Sequence, residues 1–406
     1  MVENLAVLLV GDYRQTLALS RSIKRLGYRV ILATSSCYSL CSSSRNIDEI
    51  WRCSDIELNE GDFFSELAQL LQQRKDIQAI FPIGEDELRK FSRTNYVFPE
   101  NIQIIQADKA SIELCLDKST LLAKAEQLSI PSSQSFRVSN YQQLFDAQQK
   151  LGFPGIIKPV GSDCIGLSSK AIILSDPDDL DYFKSWPTPG FSLLLQRYFS
   201  GRRHNLYFAA DRGKIISLVE VKILTTDTDN DTGLAIHGTS VELTKSLRSY
   251  TEKLVNSLQY QGVGCVQYLY NEQTGECCFL ELNPRVGANV AITEHCGVDF
   301  ARLFIELSNP SDKIPREPQE RQLDDYEKGV NYVWLSGELD GMIKALGSGQ
   351  DSLSTCLKRL FGLIKLSFTF SHHIVWHASD PMPAVRELAR LLKSLIGAIG
   401  RKLMRI

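Results

Sequence analysis

The sequence predicts an α/β protein with an N-terminal parallel sheet, a central α+β region and a small C-terminal extension. Apolar strands alternate with amphipathic helices up to about residue 115, a pattern typical of a parallel sheet covered by helices. The pattern then changes to a helix followed by short strands with glycine-rich turns. A segment rich in Pro and charge, residues 308–318, is typical of a linker. We therefore expect three domains, over residues 1–115, 116–308 and 309–406.

The first elements follow from the spacing of apolar residues. Residues 5–10 form a continuous apolar run, which predicts a buried strand. Leu19, Ile23 and Leu26 then recur at helical spacing, and Gly27 predicts the end of that helix. A second unit begins with a strand from Arg29 and continues with a helix that has five apolar residues on one face: Phe63, Phe64, Leu67, Leu70 and Leu71.

The turns after the strands bear on function. The first turn holds Gly11 and Asp12 but no G-x-G-x-x-G motif, which disfavours a dinucleotide-dependent redox enzyme. Residues 85–87 are all acidic and follow a strand that ends at Pro82. Open α/β sheets bind ligands at the carboxyl ends of their strands, so this run is a candidate ligand contact. The alternative is a solvated acidic loop.

Residues 152–166 combine a strand, a lysine and several glycines. Lys158 ends the predicted strand, and Gly161, Ser162 and Gly166 lie in the turn that follows. Glycines let backbone N–H groups face an anion, and a lysine adds a point charge suited to phosphate. The alternative is an ordinary glycine-rich hairpin, since such turns are common beside lysines.

Residues 279–285 alternate apolar and polar side chains, which predicts a strand with Glu281, Asn283 and Arg285 on one face. A carboxylate and an amide oxygen are hard ligands suited to Mg²⁺, and an arginine can stabilise transferred phosphoryl charge. The alternative is a half-exposed strand with polar outer residues, whose Asn-Pro pair signals a turn.

Together these motifs resemble the ATP-grasp superfamily, from about residue 117 to 307, with a pre-ATP-grasp domain ahead of them. The resemblance implies that Lys118 and Lys158 contact nucleotide phosphates, and that Gly161, Ser162 and Gly166 belong to a flexible phosphate loop. It also implies a lid over about residues 120–195. The backbone of the hinge that follows would bind adenine, through Gln196, Arg197, Tyr198 and Phe199.

The chain departs from the superfamily pattern at three positions. Gln196 and Arg203 stand where glutamates are usual, which puts nucleotide affinity and the choice of base in doubt. Gln267 stands where many members have a second metal-binding carboxylate. The synthetase halves of the carbamoyl phosphate synthetase large subunit are similar there, with Gln, Glu and Asn around the metal. That resemblance implies a metal site of Gln267, Glu281 and Asn283.

His237 is a further candidate for the nucleotide site. The sequence around it, residues 235–238, resembles the segment of carbamoyl phosphate synthetase whose histidine lies near the nucleotide phosphates. The alternative is an ordinary loop imidazole, because one histidine is a weak signal.

The resemblance implies an ADP-producing ligase that uses ATP with Mg²⁺ or Mn²⁺. A substrate carboxylate would attack the γ-phosphate, and the acyl phosphate would then react with an amine or thiol. The product would be an amide or peptide bond on a small molecule or amino acid. Lys158 and Arg285 are the expected catalytic residues, with Arg285 stabilising the oxyanion. Two alternatives stay open: a bicarbonate-activating enzyme similar to carbamoyl phosphate synthetase, and a non-catalytic ATP-binding sensor.

Bulk composition excludes several other classes. The 406 residues have a net charge of −3 and no long basic block, which argues against nucleic-acid binding. The ten cysteines include no Cys-x-x-Cys pair, which favours reduced thiols. No apolar run reaches about 18 residues and no signal peptide begins the chain, so we expect a cytoplasmic protein. A homodimer is left open.

The last hundred residues predict a strand around residues 332–334 and a final basic amphipathic helix. We expect that helix to pack onto the protein rather than onto a membrane, because most amphipathic helices bury one face. His372, His373 and His377 have apolar neighbours, which favours a strand or core edge over a metal site.

Overall fold

The computed structural model describes residues 5–161, 167, 171–186, 191–228, 230–308, 323–348, 352–369 and 372–403. In these residues the chain forms three β-sheets with helices packed against them. None of the described helices combines the length and apolar character needed to cross a membrane.

The first sheet consists of five short parallel strands: β1 Ala6–Val10, β2 Arg29–Thr34, β3 Glu49–Arg52, β4 Ile77–Pro82 and β5 Gln103–Ile104. Their order is β3-β2-β1-β4-β5. Every residue of β1 is buried, and alternate side chains enter two different cores. Continuous apolar strands of this kind are typical of a parallel sheet covered on both faces. The predicted parallel sheet is confirmed.

Four helices accompany this sheet: α1 Arg14–Arg25, α2 Glu60–Gln73, α3 Glu85–Arg93 and α4 Lys109–Leu116. The acidic run at residues 85–87 forms the first turn of α3, so the alternative of a solvated loop is wrong. Acidic side chains suit this position because the helix dipole places partial positive charge at the N-terminus. Glu87 is only 6% exposed.

The second sheet has four antiparallel strands and two helices: α5 Lys118–Gln127, β6 Ser135–Val138, α6 Tyr141–Leu151, β7 Gly155–Pro159, β8 Ile172–Leu174 and β9 Leu193–Arg197. The strand order is β6-β9-β7-β8. Helix α6 packs on β6 and β9 and encloses a small separate core with them.

The third sheet contains the long strands β10 Arg202–Asp211, β11 Lys214–Thr226, β12 Ala235–Ser240, β13 Gly262–Tyr270 and β14 Cys277–Asn283. Its antiparallel order is β14-β13-β10-β11-β12. Three helices belong to this part of the chain: α7 Lys245–Ser257, α8 Ala291–His295 and α9 Phe300–Ser308. Leu206 and Phe208 enter the core beneath α5 and α7, whereas Tyr207 and Ala209 enter the core shared with the first sheet.

The C-terminal region continues the third sheet. Its elements are β15 Asn331–Val333, α10 Leu335–Ser348, α11 Leu353–Thr369, β16 His372–His373 and α12 Met382–Leu403. β15 pairs with β12, and β16 pairs with β15, so the tail adds two strands to the sheet. The predicted strand and final helix are present, but helices α10 and α11 were not predicted. The linker predicted at residues 308–318 lies outside the described residues after Ser308.

A buried ion pair anchors the segment before α12 to the first sheet. The Asp380 carboxylate accepts hydrogen bonds from Arg21 of α1 at 3.2 Å, from the Ser44 hydroxyl at 2.7 Å and from the Arg45 backbone at 3.0 Å. Arg21 also donates to the Val375 carbonyl at 2.9 Å. Asp380 is 1% exposed, so this contact is enclosed by protein.

Candidate active site

A row of polar side chains crosses three neighbouring strands of the third sheet. Asn205 of β10 is directly opposite Gln267 of β13, which is directly opposite Glu281 of β14. Residues opposite each other in an antiparallel pair share a face of the sheet. Asn283 lies two residues beyond Glu281, on the same face, and donates from Nδ2 to Glu281 Oε1 at 3.0 Å. The fold therefore brings Gln267, Glu281 and Asn283 together.

The two predicted lysines approach Glu281 from helix α5 and from strand β7 of the second sheet. Lys118 begins α5, and its Nζ lies 4.0 Å from Glu281 Oε2. The Lys118 backbone N–H donates to the carbonyl of Val160, just after β7, which ties the start of α5 to the strand that carries Lys158. Glu281 is thus the negative group that faces both ammonium groups.

Burial and mutual charge perturb all three groups. Burial lowers the pKa of Lys158 to about 8. The nearby Lys118 charge lowers it further, whereas the Glu281 carboxylate acts to raise it. Burial acts to raise the pKa of Glu281, but the two lysines and Asn283 outweigh it, so that pKa lies below its usual value. Two cations that share one main counter-charge form a site suited to an additional anion.

Arg285 connects this face to the first sheet. Its Nη2 donates to Glu85 Oε1 at 2.9 Å, and its Nη1 donates to the Val286 carbonyl at 3.1 Å. Burial acts to lower the pKa of Arg285, but the Glu85 carboxylate outweighs this effect and raises it. Glu85 therefore enters the site from the carboxyl end of β4, as the acidic run indicated. The sequence did not identify Arg285 as the ion-pair partner of Glu85.

Two supporting residues had no sequence signal that we recognised. Arg14, at the start of α1, donates from Nε to Asn289 Oδ1 at 2.9 Å and to the Ala288 carbonyl at 3.1 Å. Asn289 in turn donates to the Tyr332 hydroxyl at 2.9 Å. These contacts fix the segment after Arg285 between the first sheet and the tail.

Comparison with known proteins agrees with this geometry. A sequence model of the carbamoyl-phosphate synthase L chain, ATP binding domain, matches residues 237–312. The carbamoyl phosphate synthase large chain of Clostridium acetobutylicum is 21% identical over 294 residues, which cover 70% of this chain and 26% of that protein. The chain thus spans about a quarter of the length of this curated relative.

Three solved structures share the fold. The ADP complex of N5-carboxyaminoimidazole ribonucleotide synthetase has a TM-score of 0.59 at 14% identity, over 76% of this chain and 77% of that one. The biotin carboxylase domain of Hydrogenobacter thermophilus 2-oxoglutarate carboxylase has a TM-score of 0.61 at 17% identity, over 80% and 73%. Biotin carboxylase from Campylobacter jejuni has a TM-score of 0.61 at 15% identity, over 81% and 75%.

This chain has the ATP-grasp fold. The predicted α/β fold with a parallel N-terminal sheet is therefore confirmed. In this fold, the polar row on β10, β13 and β14 faces Lys118 of α5 and Lys158 of β7, and the predicted nucleotide and metal residues meet there.

The predicted hinge of this ATP-grasp chain lies at the end of β9. Gln196 is buried, and its Nε2 is among the described buried atoms that have no hydrogen-bond partner. The backbone N–H groups of Arg197 and Tyr198 already donate to the carbonyls of Gln134 and Pro154. Tyr198 is 40% exposed. An adenine at this hinge would therefore need other groups, such as the Gln196 amide or the Phe199 backbone.

Two further predicted positions lie on β10 and β12. His237 is in the middle of β12 and opposite Thr225 and Val333, so the alternative of a loop histidine is wrong. Burial lowers its pKa, which keeps the imidazole neutral near pH 7. Arg203 donates from Nη2 to the Gly233 carbonyl at 3.0 Å, so it braces the turn before β12. Of the predicted phosphate loop, Gly161 is described, and Ser162 and Gly166 lie outside the described residues.

The side chains present fit a nucleotide and a magnesium ion. Buried polar atoms of Gln196, Arg203 and Asn205 have no hydrogen-bond partner in the described part of the chain, which suits a polar ligand. Among the described residues, no group of three or more His, Cys, Asp or Glu side chains could hold a metal. Gln267, Glu281 and Asn283 offer one carboxylate and two amides, a set that suits Mg²⁺ when phosphate oxygens complete the shell.

Proposed function

We propose that this chain is an ATP-dependent ligase that activates a carboxylate as an acyl phosphate and transfers the acyl group to an amine or thiol. The observation that carries the proposal is the meeting of Lys118, Lys158, Glu281, Asn283 and Arg285 from three separate parts of the fold. Each group has a distinct task in phosphoryl transfer, and a binding protein would not need all of them.

The lysines would hold and neutralise the phosphates. Lys158 has a pKa near 8, so it is largely protonated at neutral pH, and a bound polyanion would stabilise its charge further. Gln267, Glu281 and Asn283 would hold the Mg²⁺ or Mn²⁺ ion, which supplies charge stabilisation to the transferring phosphoryl group when bound.

Arg285 would stabilise charge that develops on the acid during transfer. The bond to Glu85 holds its guanidinium in one orientation, and such preorganised groups stabilise a transition state more than a ground state. In the first step a carboxylate oxygen bonds to the γ-phosphorus as ADP leaves. In the second, the amine nitrogen bonds to the carbonyl carbon as phosphate leaves, and the amine gives up one proton to water.

A panel of acids with hydroxylamine tests this proposal. Hydroxylamine replaces the natural amine and traps an acyl phosphate as a stable hydroxamate. With the right acid, ATP and Mg²⁺, hydroxamate should accumulate in step with ADP, and Arg285→Ala should depress both. ATP binding without ADP or hydroxamate across the panel would instead favour a nucleotide sensor, as Gln196 and Arg203 suggest.

A second candidate is activation of bicarbonate. It is supported by the sequence match to carbamoyl phosphate synthase and by the Hydrogenobacter structure, which is a complex with ADP and bicarbonate anion. Bicarbonate belongs in the acid panel for this reason. Release of ADP with bicarbonate as the only acid would favour bicarbonate activation over ligation of another carboxylic acid. For either candidate we propose a cytoplasmic enzyme, with a homodimer as one arrangement to test.

A further inference from the structure

A pocket lies beside the candidate active site, between the carboxyl end of β1 and helix α12. Its volume is about 270 Å³, enough for a small organic molecule. The side chains that define its character are Asp12, Arg14, Tyr38, Trp334, Glu387 and Arg390. The first sheet and the C-terminal tail thus form it together.

Arg14 presents a fixed positive group to this pocket. Its guanidinium stacks on the Trp334 ring, 3.6 Å from the centroid, and its Nε is bound to Asn289. The two terminal nitrogens have no hydrogen-bond partner in the portion of the chain that is described. Burial lowers the pKa of Arg14 to about 10, so it stays charged at neutral pH. A held guanidinium with two open donors suits a carboxylate.

The other charged groups in the pocket each have a contact within the protein but form no ion pair in the part of the chain that the structure describes. Arg390 lies over the Tyr38 ring, 5.0 Å from the centroid. One oxygen of Asp12 accepts the Cys41 backbone N–H at 2.9 Å. Across the described residues, Asp12, Glu387, Arg14 and Arg390 form no ion pair within 4.0 Å. Two acidic and two basic groups therefore face one small cavity without direct ion pairs, although Glu387 and Arg14 lie close enough for each to favour the other's charge.

The pocket adjoins the groups assigned to catalysis. Arg14 is hydrogen-bonded to the segment that follows Arg285, and Arg285 is close enough for its charge to lower the pKa of Arg14. Tyr13, also in the lining, donates its hydroxyl to Glu87 of α3 at 3.0 Å, two residues from Glu85. A molecule in the pocket would thus lie on the side of Arg285 that faces the first sheet.

We infer that this pocket binds a small zwitterionic amino acid as the amine substrate. Arg14 and Arg390 receive its carboxylate, Asp12 and Glu387 receive its ammonium group, and the rings of Trp334 and Tyr38 contact its carbon atoms. The binding site is inferred from the pocket alone, whereas its role as the amine site rests on the proposed ligase function.

Calorimetric titration of the full-length protein tests this inference. The probes are glycine, β-alanine and the common L-amino acids, each with its N-acetyl and amide derivative, with and without a non-hydrolysable ATP analogue. We expect at least one free amino acid to bind and both of its derivatives to bind about tenfold or more weakly, because each lacks one charge. Arg390→Ala and Glu387→Gln should weaken binding by a similar factor.

Arg386→Ala is the matched control, since Arg386 is exposed on the same helix and outside the pocket. It should leave binding unchanged. The inference is overturned if no amino acid binds, if the derivatives bind as tightly as the parent, or if the Arg390 and Glu387 variants match the wild type. Hydroxamate formation needs no amino acid, so it tests the ligase reaction separately. Hydroxamate without amino-acid binding would remove only this inference. Amino-acid binding without hydroxamate would remove the ligase and the role of the pocket as its amine site, and would leave the binding site itself.

Discussion

At the scale of single residues, Glu281 has one role that its contacts show and a second that we propose. It offsets the charges of Lys118 and Lys158 in the free protein, and it is the anionic member of the proposed metal set with Gln267 and Asn283. A neutral residue at this position would weaken both the metal site and the balance of charge around the lysines. The fold itself depends on apolar neighbours such as Leu282 rather than on this carboxylate.

Glu281→Gln should therefore abolish most turnover in a folded protein. We expect the rate of acid-dependent ADP release to fall by roughly a hundredfold or more, since one positioned phosphoryl-transfer group is lost. Glu276→Gln is the matched control, because Glu276 is exposed just before the same strand. Near-wild-type turnover in a folded Glu281 variant would remove this residue from the metal site.

Lys118→Ala and Lys158→Ala should each weaken binding of a non-hydrolysable ATP analogue. Each variant removes one cation that faces the proposed phosphates, and we expect a loss of about tenfold or more in affinity. Lys150→Ala is a suitable control, since Lys150 is exposed on α6. Calorimetry measures the affinities. Unchanged binding in both test variants would mean that the phosphates lie elsewhere.

The pKa of Lys158 predicts that binding of the ATP analogue depends on pH. In the proposed site Lys158 would bind phosphate as the ammonium ion, and its pKa of about 8 in the free protein means that this form is lost as pH rises through 8. Affinity for the ATP analogue should therefore decline between pH 7.5 and 9.5, a range chosen to span about 8. Lys158→Arg should remove the decline, because arginine stays charged. If the arginine variant shows a decline of equal size, the loss of affinity comes from the titration of another group.

The individual candidates were predictable from sequence, but their contacts were not. Glu281, Asn283 and Arg285 could be assigned to one face because side chains alternate along a strand. The contact between Arg285 and Glu85 spans 200 residues, and that between Arg14 and Asn289 spans 275. Such pairs depend on how the first and third sheets pack, which a single sequence does not specify. The roles of the site residues stay predictions until variants are measured.

At the scale of elements, the strands and helices of the first sheet were the most predictable. Their apolar spacing is regular, and Gly27, at a φ of 89°, ends the turn after α1 as expected. Helices α10 and α11 were missed. Their apolar residues form a core mainly with α12 rather than with a sheet, and exposed Phe361 and Phe368 obscure a simple amphipathic pattern in α11.

The ion pair between Arg21 and Asp380 predicts how the tail contributes to stability. Asp380→Asn would leave the Arg21 guanidinium buried without its counter-charge, which we expect to lower the free energy of unfolding by about 3 kcal/mol. Asp340→Asn removes an exposed pair with Lys344 and should cost about 0.5 kcal/mol or less. Urea denaturation measures both. Equal, small losses would show that the tail is held by its apolar contacts alone.

At the scale of the whole molecule, the candidate site lies where all three sheets meet. The second sheet provides Lys158, helix α5 provides Lys118, the third sheet provides Glu281 and its neighbours, and helix α3, which follows β4 of the first sheet, provides Glu85. Relative movement of the sheets would change every distance in the site at once, as expected for an enzyme that excludes water from a labile intermediate. The domain limits at residues 115 and 308 remain predictions that limited proteolysis can test.

The acyl phosphate is the central claim, and transfer of ¹⁸O tests it most directly. The acid that gives the greatest ADP release is labelled with ¹⁸O in its carboxylate and incubated with ATP, Mg²⁺ and the amine or hydroxylamine. If the carboxylate attacks the γ-phosphate, one labelled oxygen remains with phosphorus when the acyl group is transferred. We predict one ¹⁸O atom in each phosphate released, by mass spectrometry. Release of ADP with unlabelled phosphate would mean that water attacks ATP, and would contradict the proposed function.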